Sequence, residues 1–188
     1  LNLKLKNLNF DNTIFSSTNE FNFEISKSFK FKNIFLKSAI SFDHLKYKRE
    51  SYISDYFPKV NEEIILKKHK LKIKYNKNLL SITGEGEIKL EENFNKINYI
   101  FNKNNQSFNM QSNLILENIN LKKQDFIRNF FPSSNEYINF KNQKINIQYN
   151  NKKLYITGEG ELKVDDEFEN IKYLIETKNK KINFDLDL

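Results

Sequence analysis

One stretch occurs twice, and it constrains this chain more than any other feature. Lys70 to Leu90 reads KLKIKYNKNLLSITGEGEIKL, and Lys144 to Val164 reads KINIQYNNKKLYITGEGELKV. Gly84 and Gly158 stand 74 positions apart, and the same offset carries Phe57-Pro58 onto Phe131-Pro132, Tyr75-Asn76 onto Tyr149-Asn150 and Phe94 onto Phe168. A period this long, held across turn residues and apolar positions alike, marks a repeated structural unit. The chain divides accordingly. Residues 1–47 are the back half of an earlier repeat, 48–121 a full repeat, and 122–188 a second repeat cut short. The chain opens inside one alternating run (Leu1, Leu3, Leu5) and stops inside another (Ile182, Phe184, Leu186, Leu188), so it reads as a fragment of a longer protein.

Period-2 alternation dominates, which is the signature of half-buried strands. Leu71, Ile73 and Tyr75 point one way and Lys70, Lys72 and Lys74 the other. Asp11-Asn12-Thr13, Asn76-Lys77-Asn78, Glu91-Glu92-Asn93, Asn102 to Asn105 and Lys178-Asn179-Lys180 read as turns, asparagine tolerating left-handed backbone angles. A change of parity between Phe31 and Ile34 predicts a turn or bulge near Lys32-Asn33. The fold class that follows is mainly β: a repeated antiparallel meander of four or five strands per repeat, with one apolar and one polar face. The expected form is a curved, twisted sheet, an open trough. The apolar spacing changes at Tyr52, Ile53, Tyr56 and Phe57, and again at Phe126, Ile127, Phe130 and Phe131. That spacing is helical, and Pro58 and Pro132 end it. One short helix of two or three turns per repeat is the expectation, its aromatic stripe laid on the apolar face.

Both glycines of each GEGE stretch fall on the apolar side of their strand, with Ile82 and Ile88 in the first copy and Ile156 and Leu162 in the second. Glycine there means that something bulky lies over the strand or that the sheet bends. A neighbouring aromatic filling the space is the commoner explanation; a bound ligand chain is the sharper one.

Chemistry-bearing patterns are scarce. The formal charge is +7, but lysines alternate with glutamates along polar strand faces (Glu85, Glu87, Lys89; Lys144, Glu159, Glu161, Lys163), which reads as a solvated face and not a phosphate-binding patch. Cysteine is absent, so disulfides, thiolate metal sites and cysteine nucleophiles are excluded. His44 and His69 have no counterpart histidine in the second copy, His69 falling on Gln143, and both read as plain surface or turn residues. The GEGE stretch lacks the Gly-Lys-Ser/Thr ending of a phosphate loop. No catalytic constellation, metal site or cofactor motif emerges, and the expectation is a protein that is not an enzyme.

The repeated I-T-G-x-G-x-[IL]-x-[LV] strand, the F-x-x-I-x-Y-x-[IF] strand after it and the short aromatic segment ending in Phe-Pro resemble the AsmA-like proteins, above all their YhdP–TamB branch. The resemblance implies a periplasmic segment of an inner-membrane-anchored protein of Gram-negative bacteria, a β-trough that carries phospholipid toward the outer membrane. It implies phospholipid acyl chains and neighbouring repeats as partners, with no nucleic acid. Its groove lining would be Ile82, Gly84, Gly86, Ile88, Leu90, Ile97, Tyr99 and Phe101, with Ile156, Gly158, Gly160, Leu162 and Val164 in the second copy. Two other readings stand beside it. One is a purely structural β-repeat, an adhesin or scaffold with a closed core; the other is a basic nucleic-acid-binding module. Each buried large side chain is worth about 1.5–3 kcal/mol, so the apolar face must be covered by a second sheet, by its own curl or by a ligand.

Overall fold

The computed structural model of the chain describes residues 7–123, 136–164, 167–178 and 181–187. The strands are β1 (Leu8–Asn9), β2 (Phe15–Ile25), β3 (Phe31–Lys48), β4 (Glu63–Asn76), β5 (Leu79–Lys89), β6 (Phe94–Lys103), β7 (Phe108–Lys122), β8 (Tyr137–Asn150), β9 (Lys153–Val164), β10 (Glu167–Lys178) and β11 (Lys181–Asp187). They form one antiparallel sheet. From β3 to β11 each strand pairs with the next in sequence, while β1 and β2 share the outer edge of β3. The sheet is a meander that does not close on itself among the described residues.

The repeat predicted from the sequence is a four-strand unit, β4–β7 followed by β8–β11. The two copies share even their irregularities. Pairing of β4 with β5 slips between Lys67 and Lys70, and pairing of β8 with β9 slips between Lys141 and Lys144. Each slip is a bulge whose extra residue has a left-handed backbone, φ 50° at both Lys68 and Asn142. β4 and β8 each end in a two-residue turn with both residues at positive φ, Lys77-Asn78 and Asn151-Lys152. This is the turn whose twist suits a hairpin. Lysine at φ 74° is strained, so Lys152→Gly is expected to stabilise the chain by about 1 kcal/mol in urea unfolding. Asn33 also has φ 50°, and the pairing of β2 with β3 slips beside it, as the parity change predicts.

The helical expectation is corrected. α1 (Ile53–Tyr56) is a single turn between β3 and β4, and it is the one helix among the described residues. The second aromatic segment, Phe126 to Phe131, lies outside them. A one-helix-per-repeat pattern is therefore not supported. One turn is enough to bring Ile53 and Phe57 down onto the sheet, while Tyr52 and Tyr56 stay exposed. Pro58 then stops the helix from lengthening.

The segment from Arg49 to Glu62 crosses one end of the apolar face as a strap. From the strap Val60 packs down against Ile64, Leu116 and Ile119, joined by Ile53 and Phe57 of the strap and by Ile88 and Leu90. Asn61 N–H donates to the Leu90 carbonyl at 2.7 Å. A second, smaller cluster forms from Ile138, Leu162 and Ile171. Among the described residues the rest of the sheet is one layer. The whole chain's accessible surface is 13607 Å², whereas a compact monomer of 22.6 kDa exposes about 9500 Å².

Candidate functional site: the apolar side of the sheet

Cross-strand register turns the alternation of single strands into continuous rows. One row runs through Ile40, Leu71, Gly84, Tyr99, Ser112, Ile147, Ile156 and Ile175, from β3 to β10. The next runs through Ile73, Ile82, Phe101, Met110, Tyr149 and Leu154, from β4 to β9. At about 4.8 Å per strand, the first row extends roughly 34 Å across the sheet. Most of these apolar side chains are half-buried. They lie outside the cluster beneath the strap.

Aromatic rings occupy the space above the glycines. Tyr99 is the direct cross-strand partner of Gly84, and Tyr173 of Gly158. A Cβ added at Gly84 would stand 2.3 Å from Tyr99 Cζ, and one at Gly158 would stand 2.0 Å from Tyr173 Cζ. Each tyrosine ring thus lies over its glycine, and a side chain there would have to displace it. Burial raises the hydroxyl pKa of both tyrosines, that of Tyr173 to about 12.

The second glycine of each copy is covered from the bulge. Gly86 faces the His69 ring and Gly160 the Gln143 side chain. This corrects the surface reading of His69, which is 1% exposed and stacked on Phe42 with ring centroids 5.2 Å apart and planes 4° from parallel. His44 is partly exposed and contacts the Asp43 carboxylate at 3.0 Å. From Phe42 the aromatic contacts continue through His69, Tyr99, Phe101, Phe108 and Tyr149, a ribbon crossing from β3 to β8.

The lining residues named from the sequence therefore divide. Ile82, Tyr99, Phe101 and Ile156 lie on the rows outside the strap cluster. Ile97 continues a neighbouring row beside Gly86 and Leu114. Ile88 and Leu90 pack against the cluster beneath the strap, and Leu162 is 2% exposed. Gly84, Gly86, Gly158 and Gly160 sit on the apolar side but beneath other side chains. Val164 closes β9, and its side chain is outside what the structure describes.

The opposite face is a ladder of charge and amide pairs. Lys144 reaches Glu159 at 3.0 Å and Lys68 reaches Glu87 at 3.2 Å. The hydrogen bond from Lys144 holds the Glu159 carboxyl below its usual range. Asn98, Asn113 and Asn146 pass hydrogen bonds across β6, β7 and β8. A depression of about 530 Å³ is lined by residues of both faces, among them Asn113, Leu114, Lys144, Ile145, Glu159 and Tyr173.

Sequence reasoning missed a polar knot beside the strap. The Glu91 carboxylate accepts hydrogen bonds from the Asn120 backbone (2.9 Å) and side chain (2.8 Å). Asn120 Oδ1 accepts from Lys59 and Asn139. Nothing local in the sequence joins residues so far apart in the chain; only the sheet register does.

No protein-family model, curated protein or solved structure matches this chain. No group of three or more acidic, histidine or cysteine side chains that could hold a metal occurs among the described residues, and no helix among them is long and apolar enough to cross a membrane.

Proposed function

We propose that the chain is a segment of a lipid-conducting β-trough, its uncovered apolar rows shielding phospholipid acyl chains from water while headgroups stay at the open edge. The observation that carries this reading is the single layer: an apolar face some eight strands wide over which, among the described residues, protein packs only in part. Apolar surface left in water costs about 25 cal/mol per Å², so such a face favours an apolar occupant. The resemblance to AsmA-like proteins supports transport between the inner and outer membranes and a periplasmic setting. The mechanism is passive. Continuous rows let a chain slide across strands, and the aromatic ribbon gives it a smooth bed.

One observation favours the competing structural reading. Tyr99, Tyr173, His69 and Gln143 already fill the space over the glycines, so those positions are explained without a ligand. The two readings separate by mass spectrometry of lipid carried by the purified chain. Phospholipid is expected to co-purify and to be lost in Ile147→Glu, whose half-buried site can turn a carboxylate toward water with little effect on folding. Absence of lipid from the wild-type chain, or equal lipid in the variant, would leave a structural β-repeat as the better account.

A further inference from the structure

His69 and Gln143 occupy equivalent places in the two copies, and each bonds back to the carbonyl two residues before it. His69 Nδ1–H donates to the Lys67 carbonyl at 3.2 Å; Gln143 Nε2–H donates to the Lys141 carbonyl at 2.9 Å and to that of Glu161 at 3.0 Å. Each side chain then presents one further acceptor, His69 Nε2 and Gln143 Oε1, and both are buried without a partner. Both residues are almost wholly buried, at 1% and 0% exposure. The sites thus match in shape, donor and orphan acceptor. One difference bears on pH: imidazole can take up a proton at that acceptor near neutral pH, and an amide cannot.

We propose that His69 makes the β4–β5 hairpin an acid-sensitive element, opening around its bulge when Nε2 is protonated, while the β8–β9 hairpin, with Gln143 in the same place, does not respond. With Nδ1–H committed to Lys67, the added proton creates a buried N–H with no acceptor. No side chain bonds to Nε2 among the described residues. On β3, Phe42 stacks on the ring, while Asp43 contacts the His44 ring and accepts from Ile14 N–H. On β4, Lys67, Lys68 and Lys70 flank it, all cationic. On β5, Glu85 is paired in register with Lys70 and Glu87 binds Lys68, while Gly86 lies under the ring. On β6, Tyr99 stands 6.3 Å away between ring centroids. Burial lowers the pKa of His69 below its ordinary value, outweighing the bond to Lys67. The neutral ring is therefore the folded form. Its contribution is complete above the ordinary imidazole pKa and is lost as pH falls below it.

The test is hydrogen–deuterium exchange of the full chain at neutral pH and at pH 5.5, about one unit below the ordinary imidazole value, corrected for intrinsic exchange. Protection of amides around Lys67–Lys70 and Glu85–Glu87 is expected to fall in acid by up to about tenfold relative to the matching amides of β8 and β9. His69→Gln, which copies the other repeat, should abolish that difference. Gln143→His should transfer it to β8–β9. Equal acid response of the two hairpins in the wild type, or an undiminished difference in His69→Gln, would overturn the proposal. Should His69→Gln not fold, Gln143→His decides: no new acid response in β8–β9 would overturn it as well.

Discussion

Gly158→Val is expected to destabilise the chain by about 3 kcal/mol, although valine is a far better strand residue than glycine. The cost arises because the new side chain would enter space held by Tyr173, with Cζ only 2.0 Å from the added Cβ. The sign of the effect depends on that ring. In a Tyr173→Ala background the same substitution should stabilise the chain by about 1 kcal/mol, since only the strand preference then remains. A double-mutant cycle in urea measures the coupling directly. Additive effects would mean that glycine is present for some reason other than the tyrosine above it. Gly84 and Tyr99 form the same pair in the first copy and should give a cycle of the same sign.

The second large effect lies beneath the strap. Leu116 is 2% exposed and packs with Val60, Ile64 and Ile119, joining β4 and β7 to the segment that crosses them. Leu116→Ala is expected to cost about 3 kcal/mol through lost burial and a cavity that the neighbours fill only in part. It should also free the strap, seen as faster exchange of the Asn61 amide that bonds to the Leu90 carbonyl. Ile147→Ala, on the uncovered row, should cost only about 1 kcal/mol, because that side chain is half in water already. Equal costs at the two positions would show that the apolar face is covered throughout.

How much of this could be read from the residues depends on whether the cause was local. The meander, its turns and the bulge at Asn33 follow from alternation and parity, which are properties of neighbouring residues. The bulges at Lys68 and Asn142 left the same kind of trace: the apolar parity changes between Leu66 and Leu71, and again between Phe140 and Ile145. His69 was misjudged because histidine and glutamine look unrelated as letters. Both offer a donor beside an acceptor, and the bulge selects for that pairing. The tyrosine–glycine pairs needed the register between strands, which no single strand specifies. The strap shrank to one helical turn because its apolar spacing persists for only six residues, from Tyr52 to Phe57, too few to propagate a helix.

The account stands on an apolar face that the described residues leave partly uncovered. The chain contains no cysteine, so a single reporter can be placed at will. Ile147→Cys, on the longest row, is predicted to react with a water-soluble maleimide in the folded, lipid-stripped chain at a rate comparable with Gln148→Cys on the opposite face, and to become protected when phospholipid is added. Protection in the lipid-stripped chain as complete as that of Leu116→Cys would show a second protein layer over the sheet and contradict the account.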